Sequence, residues 1–206
     1  MIRVLLADDQ AMVRGALAAL LGLEDDLHIV AETAHGQECL EAVAAHAAAN
    51  TNIDVVLLDV EMPVMDGLTA CQQLKERHPA TRVLMLTTFG RPGYVTRALA
   101  AGADGFLVKD APAEELAEAI RQVHAGKRVV DPALAMDSLS MGASPLTERE
   151  TEVLRTVARG GSIEDVAGQL HLSAGTVRNH ISTAIAKTQA RNRQQAVQIA
   201  TDHGWL

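Results

Sequence analysis

Aromatic side chains are nearly absent from this 206-residue chain, which holds one Trp, one Tyr and two Phe. Its cores must therefore be aliphatic and helix-rich, drawn from the Ala, Leu and Val behind an apolar share of 48%. No apolar run approaches the ~20 residues needed to span a bilayer, which argues against membrane insertion. The opening Met1-Ile2-Arg3-Val4-Leu5-Leu6 reaches Asp8 and Asp9 too soon for a secretory signal. The expected location is the cytoplasm. Only Cys39 and Cys71 occur, both in stretches that read as helix, so buried thiols are expected rather than a disulfide or metal site. Basic residues are also few: 18 Lys and Arg against 26 Asp and Glu, a net charge of -8. The deficit is uneven. Residues 1–140 carry 11 basic against 20 acidic side chains, and residues 141–206 carry 7 against 6. Near the end, Arg178, Lys187, Arg191 and Arg193 face Asp202 alone. An acidic front repels phosphate backbones and a basic end attracts them.

The first 125 residues alternate strand and helix. Ile2–Ala7, Leu27–Ala31, Ile53–Leu58, Arg82–Leu86 and Gly105–Val108 read as strands. Between them, Met12, Ala16 and Leu20 recur at helical spacing, as do Leu116, Ile120 and Val123. The nearly continuous apolar run from Ile53 to Leu58 suits a strand covered on both faces. The expected fold is α/β: a doubly wound, five-stranded parallel sheet in flavodoxin-like order 2-1-3-4-5. Residues 126–144, with Asp131-Pro132 and Met141-Gly142-Ala143-Ser144-Pro145, read as a linker with a short helical turn near 133–139. Residues 145–206 then show four short helical patterns. Thr147 with Glu150 is a capping box; Ser162 with Asp165, Ser173, and Asn192 with Gln195 mark the other starts. They imply a compact all-α module.

In a parallel sheet the residues after each strand meet at one edge, and ligands bind where strand order reverses. Asp8 and Asp9, Asp59, Thr87 and Lys109 all fall there. Each alone reads equally as a cap, a turn residue or a surface charge; together they read as a site. Clustered carboxylates repel, so they want a hard cation with oxygen ligands, and Mg²⁺ fits. Such a cation also neutralises a phosphoryl group in transfer. A central carboxylate, Asp59, can attack phosphorus and become an acyl phosphate. The Glu61-Met62-Pro63 turn can aim a main-chain carbonyl at the metal. Lys109 can pair with a phosphoryl oxygen, and the Thr87 hydroxyl can donate to another.

Asp8-Asp9, Val55-Val56-Leu57-Leu58-Asp59, Met62-Pro63-Val64-Met65-Asp66-Gly67, Thr87 and Lys109-Asp110 together resemble the signature of response-regulator receivers. The resemblance implies that Asp59 is the phosphoacceptor. It implies Mg²⁺ held by Asp9, Asp59 and the Glu61 carbonyl, with Asp8 acting through water. It implies a switch in which Thr87 swings toward the phosphoryl group and the aromatic Phe106 moves inward behind it. Phe106 also reads as an ordinary core residue of the fifth strand. The bulky Glu61 and Phe89 flank the expected path of attacking water, so slow hydrolysis of the acyl phosphate is expected.

In the last quarter, the stretches from Leu146 to Leu154, from Ile163 to Ala167 and from Leu172 to Ile181 resemble the four-helix DNA-binding domain of LuxR/NarL/FixJ regulators. Val177, Ile181 and Ile185 recur every four residues and should face the core. Arg178, Asn179 and Ser182 then lie on another face, where Arg can read guanine and Asn adenine. Lys187 is expected on phosphate, and Ser173 and Thr176, near a helix N-terminus, can bond phosphate too. His180 fits packing, capping or contact equally, and each polar residue also reads as part of a solvated face. One departure stands out: Thr188 occupies the buried stripe where the family has Leu, so a weakly packed helix end is expected. By resemblance, the last helix pairs two DNA-bound copies, with Val197 and Ile199 at that contact or in the core.

The whole implies a two-component response regulator: phosphorylated by a sensor histidine kinase, dimeric when activated, and bound to double-stranded DNA. The run Leu86–Tyr94 with Gly105–Asp110 is similar to the DesR branch of the family and implies a membrane-bound, DesK-like kinase. Two other readings stay open. A phosphatase that forms an aspartyl phosphate would use Glu61 as general acid, although Met62-Pro63 and the DNA module favour the regulator. A constitutive DNA-binding protein with an idle receiver is the third.

Overall fold

A computed structural model describes residues 1–88, 92–132, 134–136 and 144–206. The chain divides into two compact units, built mainly from residues 1–135 and 136–206.

The first unit alternates strand and helix: β1 (Ile2–Ala7), α1 (Ala11–Leu21), β2 (Leu27–Thr33), α2 (Gly36–Ala48), β3 (Val55–Asp59), α3 (Gly67–Arg77), β4 (Arg82–Thr87), α4 (Pro92–Ala100), β5 (Gly105–Val108), α5 (Ala113–His124) and β6 (Val129–Val130). Every pairing is parallel, and the order is β2-β1-β3-β4-β5-β6. The doubly wound sheet is as expected from the alternation. It holds six strands rather than five, because Val129 and Val130 pair with Gly105 and Phe106 inside the stretch that reads as linker. Two residues are too few to show a period, so tertiary pairing alone creates this strand. All five residues of β3 are buried, as its apolar run requires. On one side of the sheet Leu116, Ile120 and Val123 of α5 pack with Leu84, Leu86 and Leu107.

The Met12-Ala16-Leu20 stripe that marks α1 in the sequence points to solvent, with Met12 88% exposed. Leu17, Ala18 and Leu21 face the core instead. That helix is apolar nearly all round, so periodicity reveals the helix but not its buried face. Cys39 and Cys71 are free and fully buried, and burial pushes both thiols up to about 12.

The second unit comprises α6 (Glu148–Ala158), α7 (Ile163–Gln169), α8 (Ala174–Thr188) and α9 (Arg193–Asp202). Each anticipated cap forms. The Glu150 N–H donates to Thr147 Oγ1 and the Thr147 N–H to Glu150 Oε2, closing the box at 3.3 and 2.7 Å. Ser162 and Asp165 close a second box. Ser173 and Asn192 accept from the backbone N–H groups of Thr176 and Gln195. Val177 and Ile181 pack with Val153, Val166 and Ala167. A second cluster joins Leu146, Leu154, Ala184, Ala196 and Ala200.

Thr188 is buried, as its register demands, and its hydroxyl donates to the Ala184 carbonyl at 2.8 Å. The hydroxyl is thus satisfied by its own helix, and the deficit at this end is one of apolar burial. Gln189 then ends the helix in the left-handed region at φ 55. Thr188→Leu is expected to stabilise the C-terminal unit by about 1 kcal/mol, read as a rise in that unit's transition in thermal unfolding of the full chain. A lowered transition would mean that the space is already filled.

Candidate functional site

Parallel register brings the C-terminal ends of β1, β3, β4 and β5 to one edge of the sheet, where β1 and β3 flank the reversal of strand order. Asp8 and Asp9 follow β1, Asp59 ends β3, Thr87 ends β4 and Lys109 follows β5. Asp8, Asp59, Thr87 and the Lys109 side chain are buried, and Asp9 is exposed. Carboxylate oxygens of Asp8, Asp9 and Asp59 lie within 4.8 Å of one another. Lys109 Nζ stands 2.7 Å from both Asp8 Oδ2 and Asp59 Oδ2. A cleft of about 260 Å³ opens beside them, lined by Asp9, Gln10, Asp59, Glu61, Thr87 and Thr88.

Local chemistry holds these groups in place. The Gln10 N–H donates to Asp8 Oδ1 at 2.9 Å, and Arg14 Nη1 donates to the Asp8 carbonyl at 2.6 Å. The Glu61 N–H bonds to the Asp59 carboxylate. The chain then turns sharply, with the Gly67 N–H donating to the Val60 carbonyl at 3.0 Å. A Cβ at Gly67 would collide with the Asp59 carbonyl oxygen, so only glycine fits directly behind Asp59. Asp66 caps α3 by accepting from the Thr69 N–H at 2.8 Å. Val64, in the same loop, is 82% exposed and left-handed at φ 65. A β-branched residue there carries strain of roughly 1–3 kcal/mol.

Burial, joined by the Asp8 charge, raises the Asp59 carboxyl above its ordinary range despite the opposing pull of Lys109. Burial alone would lower the Lys109 ammonium, but hydrogen bonds and charge from Asp59 and Asp8 outweigh it and raise it. Asp59 thus sits beside a firmly held positive charge, in a place that resists accumulating negative charge. Three close carboxylates made only of oxygen donors suit a hard divalent cation. Phe106 is fully buried on β5. Phe89 lies outside the described residues.

In the second unit Arg178, Asn179 and Ser182 are exposed on α8 as expected, Ser173 is exposed, and Thr176 and His180 are half-buried. Two cations of α8 are already engaged. Arg178 Nη2 donates to Glu164 Oε1 at 3.1 Å. Lys187 Nζ meets Glu150 Oε2 at 2.8 Å, and Glu150 is buried. Burial would raise the Glu150 carboxyl, but bonds from Lys187 and Thr147 outweigh it and hold it below its ordinary 4.5. Val197 packs against the unit's own core, and Ile199 is half-buried. Sequence reasoning missed Gln10, Thr88, Arg14, Glu150 and Glu164 as site neighbours. Gln10 and Thr88 adjoin expected site residues and were within reach, whereas Arg14 acts from within α1. Glu164 is 14 residues from Arg178, a separation with no local signal.

Fold and site together define a phosphoacceptor-type receiver unit followed by a helix-turn-helix module. A model of the response regulator receiver domain matches residues 4–121, and one of bacterial regulatory proteins of the luxR family matches residues 144–200. The transcriptional regulatory proteins YvfU and DesR of Bacillus subtilis (strain 168) are 44% and 43% identical over 206 residues, covering all of both chains. The crystal structure of response regulator ChrA, from a heme-sensing two-component system, is similar at 33% identity and TM-score 0.59, covering 100% of this chain and 98% of that one. An RcsB–DNA complex shares the fold at 22% identity and TM-score 0.67, covering 98% of each chain. The chain belongs to the NarL/FixJ family of two-component response regulators with a LuxR-type DNA-binding domain. That family is one of transcription regulators rather than dedicated enzymes. No helix among the described residues is long and apolar enough to cross a membrane.

Two outcomes follow from the electrostatics. A carboxyl raised on folding contributes stability below its ordinary value of 3.8 and loses it as pH rises through the raised one. Asp59→Asn is therefore expected to melt higher than wild type at pH 7 in chelator, with the gap closing toward pH 3. A gap of the opposite sign would mean that the Lys109 pair dominates. Glu150 behaves in reverse: its lowered carboxyl contributes stability above 4.5 and loses it as pH falls through the lowered value. Lys187→Met should cost about 1–2 kcal/mol at pH 7 by stranding that carboxylate, and progressively less in acid. A cost independent of pH, measured by denaturant titration, would rule this out.

Proposed function

We propose that Asp59 is the phosphoacceptor through which a sensor histidine kinase controls this regulator. The observation that carries the reading is the meeting of Asp8, Asp9, Asp59 and Lys109 at one sheet edge, with carboxylates within 4.8 Å and an ammonium 2.7 Å from the acceptor. An Asp59 oxygen bonds to phosphorus as the bond to the kinase's histidine nitrogen breaks. Asp9, Asp59 and the Glu61 carbonyl would hold Mg²⁺, with Asp8 contributing through water. When bound, the ion neutralises charge on the phosphoryl oxygens. Lys109 takes one phosphoryl oxygen, and the Thr87 hydroxyl donates to another. Phe106 follows Thr87 as the second part of the switch. The acyl phosphate is lost slowly by hydrolysis, with Glu61 beside the cleft. The receiver occupies residues 1–125, its sheet extended by β6 from the connecting segment 126–144, and the DNA-binding domain occupies 145–206.

Phosphorylation shifts the receiver toward a dimerising state. Dimerisation raises the effective affinity for paired half-sites. Arg178, Asn179 and Ser182 read base edges from α8, while Ser173, Thr176 and Lys187 meet the backbone. Lys187 does so while tethered to Glu150, so its contribution to phosphate binding is shared. The likeness to DesR supports a DesK-like kinase as the phosphoryl source, and the protein acts in the cytoplasm.

Sedimentation of wild type and Asp59→Ala with Mg²⁺, with and without beryllofluoride, tests the reading. A monomer-to-dimer shift in wild type alone is expected. No shift in either protein would point to an idle receiver or a preformed dimer.

A further inference from the structure

Glu164 lies in the first turn of α7 and Arg178 near the start of α8, joined across 14 residues by a bond of 3.1 Å. Their side chains are 66% and 57% exposed. A pair this open adds little to folding stability. Its placement is what matters. The guanidinium stands on the same exposed face as Asn179 and Ser182, so the Glu164 carboxylate is carried wherever that face docks.

A lone arginine facing a duplex is drawn to the nearest phosphate, a contact that releases counterions but carries no sequence information. Beside Glu164 the pair has no net charge, and that pull is largely cancelled. Directional bonding remains. The guanidinium has five N–H donors, and one nitrogen is engaged by Glu164. The rest of the fork stays free for the O6 and N7 of guanine. The carboxylate also narrows the rotamers of a long side chain, which lowers the cost of ordering it on binding.

We propose that Glu164 is a positioning residue for DNA recognition, which converts Arg178 from a phosphate clamp into a reader of guanine. This rests on α8 being the helix that enters the groove. Glu164 repels the backbone of every duplex and sharpens choice at one base pair, so it exchanges affinity for selectivity.

The test uses the full chain with Mg²⁺ and beryllofluoride. Wild type, Glu164→Gln, Arg178→Ala and the double variant are bound to a pool of duplexes with a randomised centre, and to one fixed duplex of unrelated sequence across a salt series. Glu164→Gln should keep its melting temperature. It should bind the unrelated duplex several-fold tighter, with a salt slope steeper by about one. Its preference at a single base pair should fall by about tenfold. Arg178→Ala should lose preference at that same position, and in its background Glu164→Gln should change no further base preference. Unchanged base preferences and salt slope in Glu164→Gln overturn the proposal, as does a loss at a position that Arg178→Ala leaves intact. If wild type enriches no sequence from the pool, DNA reading by α8 is itself wrong, and the role of Glu164 falls with it.

Discussion

The buried ammonium of Lys109, 2.7 Å from both Asp8 and Asp59, is the contact on which the receiver site depends. Two carboxylates taken from water and set side by side repel and are poorly solvated. The ammonium offsets that cost in part, but not wholly, because Asp59 remains raised. The site is therefore incompletely neutralised by its own residues. That condition favours a divalent cation. The surrounding structure serves this contact. Parallel strands deliver the three groups to one edge, Arg14 and Gln10 hold the Asp8 segment, and Gly67 lets the chain fold closely behind Asp59.

The helical unit solves a related problem by different means. Two cations of α8, Arg178 and Lys187, are tied to acids of the preceding helices. Lys187 neutralises a buried capping-box carboxylate, so one ammonium both supports the start of α6 and stands in the last turn of α8. Arg178 is tied at the surface by Glu164. Both pairs reduce the free positive charge of the unit.

Much of this was legible in the residues. The apolar run of β3, the positions of Asp8, Asp9, Asp59, Thr87 and Lys109, and all four caps of the helical unit follow from local rules of period, strand ends and capping. Three features were not. Val129-Val130 is too short to carry a period and is a strand only because β5 offers an unpaired edge. The stripe Met12-Ala16-Leu20 marks α1 as a helix but faces water, because its other face is equally apolar. Thr188 was placed correctly in the buried stripe, yet its hydroxyl partner is the Ala184 carbonyl, a bond that sequence spacing permits without requiring.

Sequence alone determined the sheet with its acidic edge and the helix with its polar face, because periodicity, strand-end position and capping are local and nearly independent of distant contacts. Tertiary structure alone decided which charges meet. Lys109 bridges Asp8 and Asp59, Glu150 takes Lys187, and Glu164 takes Arg178. Each pair joins residues far apart in the chain, and Coulomb interaction depends on separation in space, which no spacing in sequence records.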